Sequence, residues 1–289
     1  MASLSRARDF LDCNGRLLER RLFAFHHDRG EVAAVVSALT AYRNADGGFG
    51  WGLEPDKRTP ASQPVDVQLA FEILDEVGAL GGAMAVRACD WLETVTTEEG
   101  GLPFSLESAN GWPHTPWWTV DRPLPADVNP TAAILACLLR AGVSHPWMAR
   151  ATAFCWQAAD NSETVKFHDL MPMIAFLEAI GDRSRGERAL SRIGSRILDR
   201  GLVAMDPYAE GYVKGPLDWA PRPDSFCRRL FSDPVIDQHL KALSARQGDD
   251  GGWPINWESL SPGVELEWRG WMTVRAVSTL RAYGQPFEE

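Results

Sequence analysis

Apolar residues recur at helical spacing along most of the chain, and the alternating pattern of a half-buried strand is rare. The segment from Pro64 to Gly78 is apolar on both of its sides, as is a segment that opens with Asn129 as N-cap and Pro130 as first helical residue. Residues 165–180 and Leu266–Tyr283 follow the same pattern. Since a helix that is apolar all round must be buried, the sequence predicts four buried helices.

Other segments alternate apolar and charged residues at helical spacing, which predicts helices with one exposed face. They are residues 31–43, 83–97, 146–159, 184–200 and 234–247. Two layers of helical hairpins, one inside the other, need buried helices that alternate with half-exposed ones. Two segments do not fit a helix, residues 101–126 with many Pro and Trp and residues 202–231 with several Pro, and irregular segments of this length often line a site.

An internal repeat accompanies these helices. Residues 38–49 align without a gap on residues 242–253, and a weaker copy includes Leu92 and residues 99–104. In each copy an amphipathic helix ends, an acidic residue precedes two glycines, and an apolar residue follows. Glycine permits the positive φ of such a turn, so we expect Gly47, Gly48, Gly251 and Gly252 to serve the fold, and Gly252→Val to cost more than about 1 kcal/mol.

The turns at residues 44–49 and 247–253 resemble the repeats of squalene and terpenoid cyclases and of protein prenyltransferase β subunits. The resemblance implies an all-α fold, an α/α toroid of about five to six hairpins around an aromatic cavity, as a single domain over residues 1–289. The familiar chemical motifs are missing. The chain has no Asp-x-Asp-Asp acid, the zinc ligands of lanthipeptide cyclases are absent, and Asp12-Cys13 has the wrong spacing for a prenyltransferase zinc site.

Composition narrows the class of partner. The 39 acidic residues outnumber 29 basic ones, and a formal charge of -10 disfavours nucleic acid. There is no long apolar run and no signal-peptide pattern, so we predict a cytoplasmic protein without stable membrane insertion. Five scattered cysteines suggest reduced thiols, and we predict no metal and no cofactor. The 12 Trp indicate aromatic packing or a cavity with aromatic walls.

In a toroid the first turns of the inner helices gather at one end, which selects Glu54, Asp56, Asp127 and His168 as candidate catalytic residues. His114 is the fifth candidate, because it lies in the long loop that leads to one of these helix starts and its imidazole can exchange protons near pH 7. Helix dipoles at that end would lower carboxylate pKa values, so we expect base catalysis or carboxylate binding rather than protonation of an alkene. The acids have plainer roles as helix caps or as ion-pair partners of Lys57 and Arg58, and His168 as a core histidine.

Several further residues are candidates for substrate binding: Trp117, Trp118, Asn129, Asp218, Trp219, Trp268 and Arg269. The indoles that share a Pro-stiffened loop with His114 would be unfavourable at a surface unless they cover a cavity, although simple packing explains them too. Capping alone explains Asn129. Arg269 either clamps a substrate carboxylate or pairs with Glu267.

These observations lead to one function and three alternatives. The first is a terpenoid-cyclase-like enzyme that uses metal-free acid-base chemistry for cyclisation, isomerisation or elimination of an apolar or polycyclic small molecule. The alternatives are prenyl transfer with diphosphate held at helix N-termini, a carbohydrate lyase or hydrolase with Trp platforms, and a non-catalytic binding or scaffold module. Only the last predicts shallow surfaces without converging ionisable groups.

Overall fold

A computed structural model describes residues 1–161 and 166–288. Within these residues the chain forms twelve α-helices and three short 3₁₀ turns, and its only β pairing is in isolated bridges. The all-α prediction is therefore confirmed. The chain divides into two compact units, unit 1 with Met1–Ala38 and Gly194–Glu289, and unit 2 with Leu39–Ile193. No helix of the described residues is long and apolar enough to cross a membrane.

The helices are, in chain order, α1 (Leu4–Asn14), α2 (Leu17–His27), α3 (Val32–Thr40), α4 (Pro64–Glu76), α5 (Gly82–Val95), α6 (Val128–Arg140), α7 (Trp147–Asn161), α8 (Phe167–Ala179), α9 (Arg183–Asp199), α10 (Pro216–Trp219), α11 (Asp233–Ala245) and α12 (Pro262–Ala282). All the predicted helices are present. The predicted start of α8 at residue 165 lies outside the described residues. The pattern missed α1 and α2, which are short and rich in charge.

Unit 2 is built around α4, α6 and α8, which pack side by side with α6 in the middle. Arg140 Nε lies 2.7 Å from Asp75 Oδ2, and this contact joins the last turns of α4 and α6. Asp127 and Asp169, at the first turns of α6 and α8, interact electrostatically. The three helices are therefore parallel, and their N-termini share one end of the unit.

Unit 1 contains α1, α2, α10, α11 and α12, and α12 packs against α1, α2 and α11. The predicted irregular segment 202–231 holds only the four residues of α10 and a 3₁₀ turn at Phe226–Leu230. The other irregular segment, 101–126, holds only two 3₁₀ turns. Proline is the physical reason in both, since it supplies no backbone N–H for a helix.

The repeat turns have the same construction in three copies. The first glycine of each pair has a positive φ, of 99°, 92° and 91° at Gly47, Gly100 and Gly251. A Cβ on these glycines would lie 2.4, 2.9 and 2.1 Å from the carbonyl oxygens of Arg87, Arg150 and Arg6. The guanidinium of each of these arginines donates in return to a carbonyl of the turn. Each turn is thus fastened to a neighbouring helix.

The second glycine of each pair serves a different purpose from the one expected. Gly252 does not have a positive φ. Its missing side chain instead makes room for the ring of Phe10, which an added Cβ would approach to 2.7 Å. The expectation that a side chain at Gly252 is strained by a positive φ was therefore wrong. Gly251 is the glycine with the positive φ, and at both positions an added Cβ would clash with a neighbouring residue.

Candidate active site

A buried ion pair anchors the segment that follows the first repeat turn. Lys57 is fully buried, Asp66 in the first turn of α4 is almost so, and Lys57 Nζ lies 2.5 Å from Asp66 Oδ2. The other carboxylate oxygen of Asp66 accepts a hydrogen bond from the backbone N–H of Glu54 at 2.8 Å. Because two buried charges require such close compensation, this pair fixes residues 54–57 against the start of α4.

Glu54 lies beside this pair, and its side chain is only 5% exposed. Its Oε2 is buried and has no hydrogen-bond partner. Burial raises the pKa of Glu54 from 4.5 to about 8, and the nearby Lys57 offsets only part of that effect. The expectation that helix N-termini lower these pKa values was wrong here, since desolvation outweighs the favourable charges. At neutral pH Glu54 carries its proton.

Two stacked aromatic rings lie beside Lys57. Trp118 is 4% exposed and stacks on Phe104, with ring centroids 4.5 Å apart and planes within 5°. Lys57 Nζ lies 4.6 Å from the centroid of the Trp118 ring. The indole Nε1 of Trp118 is buried without a hydrogen-bond partner. Glu54 and Trp118 thus leave two unsatisfied polar atoms around Lys57, and such atoms cost roughly 1–3 kcal/mol each unless a ligand or water satisfies them.

The Pro-stiffened loop that carries His114, Trp117 and Trp118 makes backbone contacts with the segment that contains Asp56 and Arg58. Thr115 N donates to the carbonyl of Asp56 at 2.9 Å, and Arg58 N donates to the carbonyl of Pro113 at 2.9 Å. The His114 ring has its own partners within the loop, Trp112 O at 2.6 Å and Thr119 Oγ1 at 3.0 Å. The structure therefore brings buried Asp56 and the loop together, while the imidazole of His114 organises the loop.

A second group of predicted residues lies at the first turns of α6 and α8. Burial, and then the charge of Asp169, raises the pKa of Asp127 from 3.8 to about 6. Asp127 caps α6, because its Oδ1 accepts from the N–H of Asn129 at 3.2 Å. Asn129 is not the cap that the sequence suggested, since its buried Oδ1 has no hydrogen-bond partner. His168 is exposed and packs on Phe167 at 4.4 Å between ring centroids.

Unit 2 also contains Trp117, and it places this indole at the surface with 51% of it exposed. The eight predicted residues of unit 2 therefore differ in setting. Glu54 and Trp118 lie close to Lys57, and Asp56 is buried. Asp127 and Asn129 lie partly or wholly buried at the start of α6. The side chains of His114, Trp117 and His168 are partly or largely exposed.

The remaining predicted residues belong to unit 1. Asp218 Oδ2 accepts from Gly215 N at 2.8 Å, Trp219 is buried, and the ring of Trp268 lies 5.2 Å from that of Trp257. Arg269 donates to Asp250 of the repeat turn at 2.7 Å, so its ion-pair partner in this structure is Asp250 rather than Glu267. Glu267 instead faces Arg16, at 3.9 Å.

Sequence reasoning missed the central role of the Lys57–Asp66 pair. Lysine and aspartate are among the residues least often fully buried, and their positions within the chain carry no motif. The described residues contain no group of three His, Cys, Asp or Glu side chains arranged to hold a metal ion. Glu54 is thus a buried carboxyl with a raised pKa, beside the Lys57–Asp66 ion pair and the stacked rings of Trp118 and Phe104.

Comparison with known proteins adds information on the fold. No family model matches the sequence, and no curated protein matches it. Among solved structures, a protein from Actinoplanes is similar with a TM-score of 0.59 and 14% identity, over 95% of this chain and 98% of that one. A variant of the type II terpene cyclase MstE from Scytonema, in complex with its substrate geranylgeranyl dihydroxybenzoate, is similar with a TM-score of 0.50 and 11% identity, over 93% and 88% of the two chains. The fold is thus terpene cyclase-like.

Proposed function

We propose that this protein is a terpenoid-cyclase-like enzyme that cyclises or isomerises an apolar small molecule by acid-base chemistry, with Glu54 as the proton donor. The observation that carries the proposal is the state of Glu54, a buried carboxyl with a pKa raised to about 8 and an Oε2 without a partner. An acid that holds its proton at neutral pH can donate it to a substrate. The terpene cyclase-like fold supports an apolar isoprenoid as the substrate class.

The proposed reaction begins with transfer of the Glu54 proton to a carbon of a substrate alkene. The π electrons of that alkene form the new C–H bond, and a carbocation remains on its other carbon. A second alkene then attacks the cation through its own π electrons and closes a ring. Loss of a proton from a neighbouring carbon to a base ends the sequence, so substrate and product are isomers.

The residues around Glu54 have defined tasks in this scheme. Lys57 stabilises the carboxylate that Glu54 becomes, and Asp66 holds the ammonium in position at 2.5 Å. Trp118 and Phe104 exclude water from the acid, which strengthens the electrostatic interactions inside the cluster. A scaffold module would gain nothing from a buried acid whose Oε2 has no partner, because such a group only lowers its stability.

The test is turnover of geranylgeranyl dihydroxybenzoate by the purified protein in D₂O, analysed by mass spectrometry. Proton transfer from an acid that exchanges with solvent places one deuterium in each product molecule. We expect a cyclic product of that mass, and we expect Glu54→Gln to lower the rate by at least about a hundredfold, as for a general acid.

The matched control is Glu93→Gln, which removes an exposed carboxylate of α5 in the same unit. This variant should retain the rate of the unaltered protein. Equal rates for the Glu54 and Glu93 variants, or a cyclic product without deuterium, would overturn the assignment of Glu54. No product from this substrate or from shorter linear isoprenoids would count against the function itself.

A further inference from the structure

A pocket of about 330 Å³ lies in unit 1. Its walls come from α11, α12, the loop at residues 253–257 and the irregular segment at residues 204–218. The irregular segment at residues 204–218 is mostly loop, and α10 is its only helical turn. The volume is at the lower end of the range for small-molecule sites, roughly 300–1,000 Å³.

One buried polar side chain faces this pocket. His239 on α11 is 7% exposed, and its Nε2 lies 3.0 Å from the carbonyl oxygen of Met205. A carbonyl can only accept a hydrogen bond, so Nε2 carries a proton, and in the neutral imidazole Nδ1 is left as an acceptor. The Met205 contact therefore fixes the tautomer of the ring.

Gly215 leaves the acceptor edge of His239 uncovered. A Cβ at this glycine would lie 3.3 Å from both Nδ1 and Cε1 of the ring. The φ of Gly215 is -87°, which any residue adopts, so the backbone does not require glycine here. The absence of a side chain instead leaves space beside the imidazole, within the pocket.

The charged groups of the pocket wall already have partners. Asp218 accepts from the N–H of Gly215 at 2.8 Å, and Arg246 donates to the carbonyl of Pro207. The Arg275 guanidinium lies 4.2 Å from the centroid of the Trp271 ring. The Arg246 contact joins α11 to the irregular segment, while the contacts of Asp218 and Arg275 lie within single elements. Most of the other lining residues are apolar or aromatic: Leu243, Trp253, Ile255, Trp257 and Met272.

We infer that this pocket binds a small, uncharged and mostly apolar molecule whose hydroxyl group donates a hydrogen bond to His239 Nδ1. The aromatic and aliphatic wall provides the affinity through burial of apolar surface. The imidazole provides the selectivity, because a ligand without a hydroxyl group would bury the Nδ1 acceptor without giving it a donor. The inference is independent of the role proposed for Glu54.

The test uses 2-naphthol and naphthalene, which differ only in the hydroxyl group, in binding titrations with the full chain. We expect 2-naphthol to bind at one site about tenfold more tightly than naphthalene, the effect of one good hydrogen bond. His239→Phe should remove this preference. Gly215→Val, which fills the space beside the ring, should weaken both ligands at least tenfold.

Lys241→Ala is the control, since it changes an exposed residue on the same helix and should leave both affinities unchanged. If His239→Phe does not fold, the preference of the unaltered protein and the loss in Gly215→Val decide the matter. Equal affinity for the two probes, no binding of either, or unchanged binding in Gly215→Val would overturn the inference.

Discussion

Two carboxyl groups close to repeat turns show opposite behaviour. Asp250, in the last turn, is 47% exposed and accepts from Arg269 at 2.7 Å and from Gly252 N at 3.1 Å. The hydrogen bond from Arg269 lowers its pKa. Glu54, soon after the first turn, is 5% exposed and its pKa is raised to about 8. Both carboxyls have a cation nearby. The hydrogen bond from Arg269 and access to water keep the pKa of Asp250 low, whereas burial raises the pKa of Glu54.

The repeat turns stabilise the fold, whereas the buried polar groups around Lys57 lower its stability. In the three turns the glycines, arginines and carbonyls satisfy one another. Around Lys57 the chain leaves buried polar atoms of Glu54 and Trp118 without partners. Unsatisfied groups that persist in a folded protein are often functional, which is the basis for placing chemistry in the second region.

The largest stability effect should come from breaking the buried pair. Lys57→Met leaves Asp66 charged, buried and without its cation, and we expect a loss of about 4 kcal/mol in the free energy of unfolding. Chemical denaturation measures this value. Asp66→Asn in the same chain removes the orphaned charge and should restore part of the stability. Lys241→Met, at an exposed lysine, should change it by less than about 0.5 kcal/mol. A loss no larger than this control would show that the pair is not a structural anchor.

The next effect concerns pH. Glu54 has a folded pKa of about 8 against an ordinary 4.5, so the folded state holds its proton more tightly than the unfolded state does. Its contribution to stability is fully present below about pH 4.5 and is lost as pH rises to about 8, a change of about 3 kcal/mol between pH 5 and pH 8.

Glu54→Gln should remove this part of the pH dependence, as measured by denaturation at each pH. Asp250→Asn is the matched control, because the lowered pKa of Asp250 lies below this range and its charge does not change within it. Parallel pH curves for the unaltered protein and Glu54→Gln would mean that Glu54 ionises normally, and the contrast with Asp250 would disappear.

The smallest of the three effects tests the turn. In Gly251→Ala the new Cβ meets the carbonyl oxygen of Arg6 at 2.1 Å, at a φ of 91°. We expect a loss of at least about 2 kcal/mol from the clash and the strain together. Gly284→Ala carries strain without a clash, since its φ is 66° and nothing lies within 4 Å of the added atom. It should cost only about 1 kcal/mol. Equal losses at the two glycines, measured as melting temperatures, would show that the close contact with α1 is unimportant.

Much of the fold could be predicted from the sequence, while the site could be predicted only in part. Pro64 and the apolar spacing after it place α4 correctly, and the repeat identifies the turns. Glu54, Asp56 and Trp118 were named as candidates and remain predictions, and in the structure Glu54 and Trp118 lie close to Lys57. The charge state of Glu54 was predicted in the wrong direction, because an argument from helix dipoles omits the cost of burial.

The sequence by itself determined the helices and the repeat turns, because periodicity, proline and glycine act through neighbours in the chain. Only the tertiary structure decided which polar groups lose their water and which partner they find. Lys57 pairs with Asp66 rather than Glu54, Arg269 pairs with Asp250, and His239 faces a pocket that Gly215 leaves open. Desolvation and pairing depend on side chains that are distant in sequence, so the local sequence pattern does not determine them.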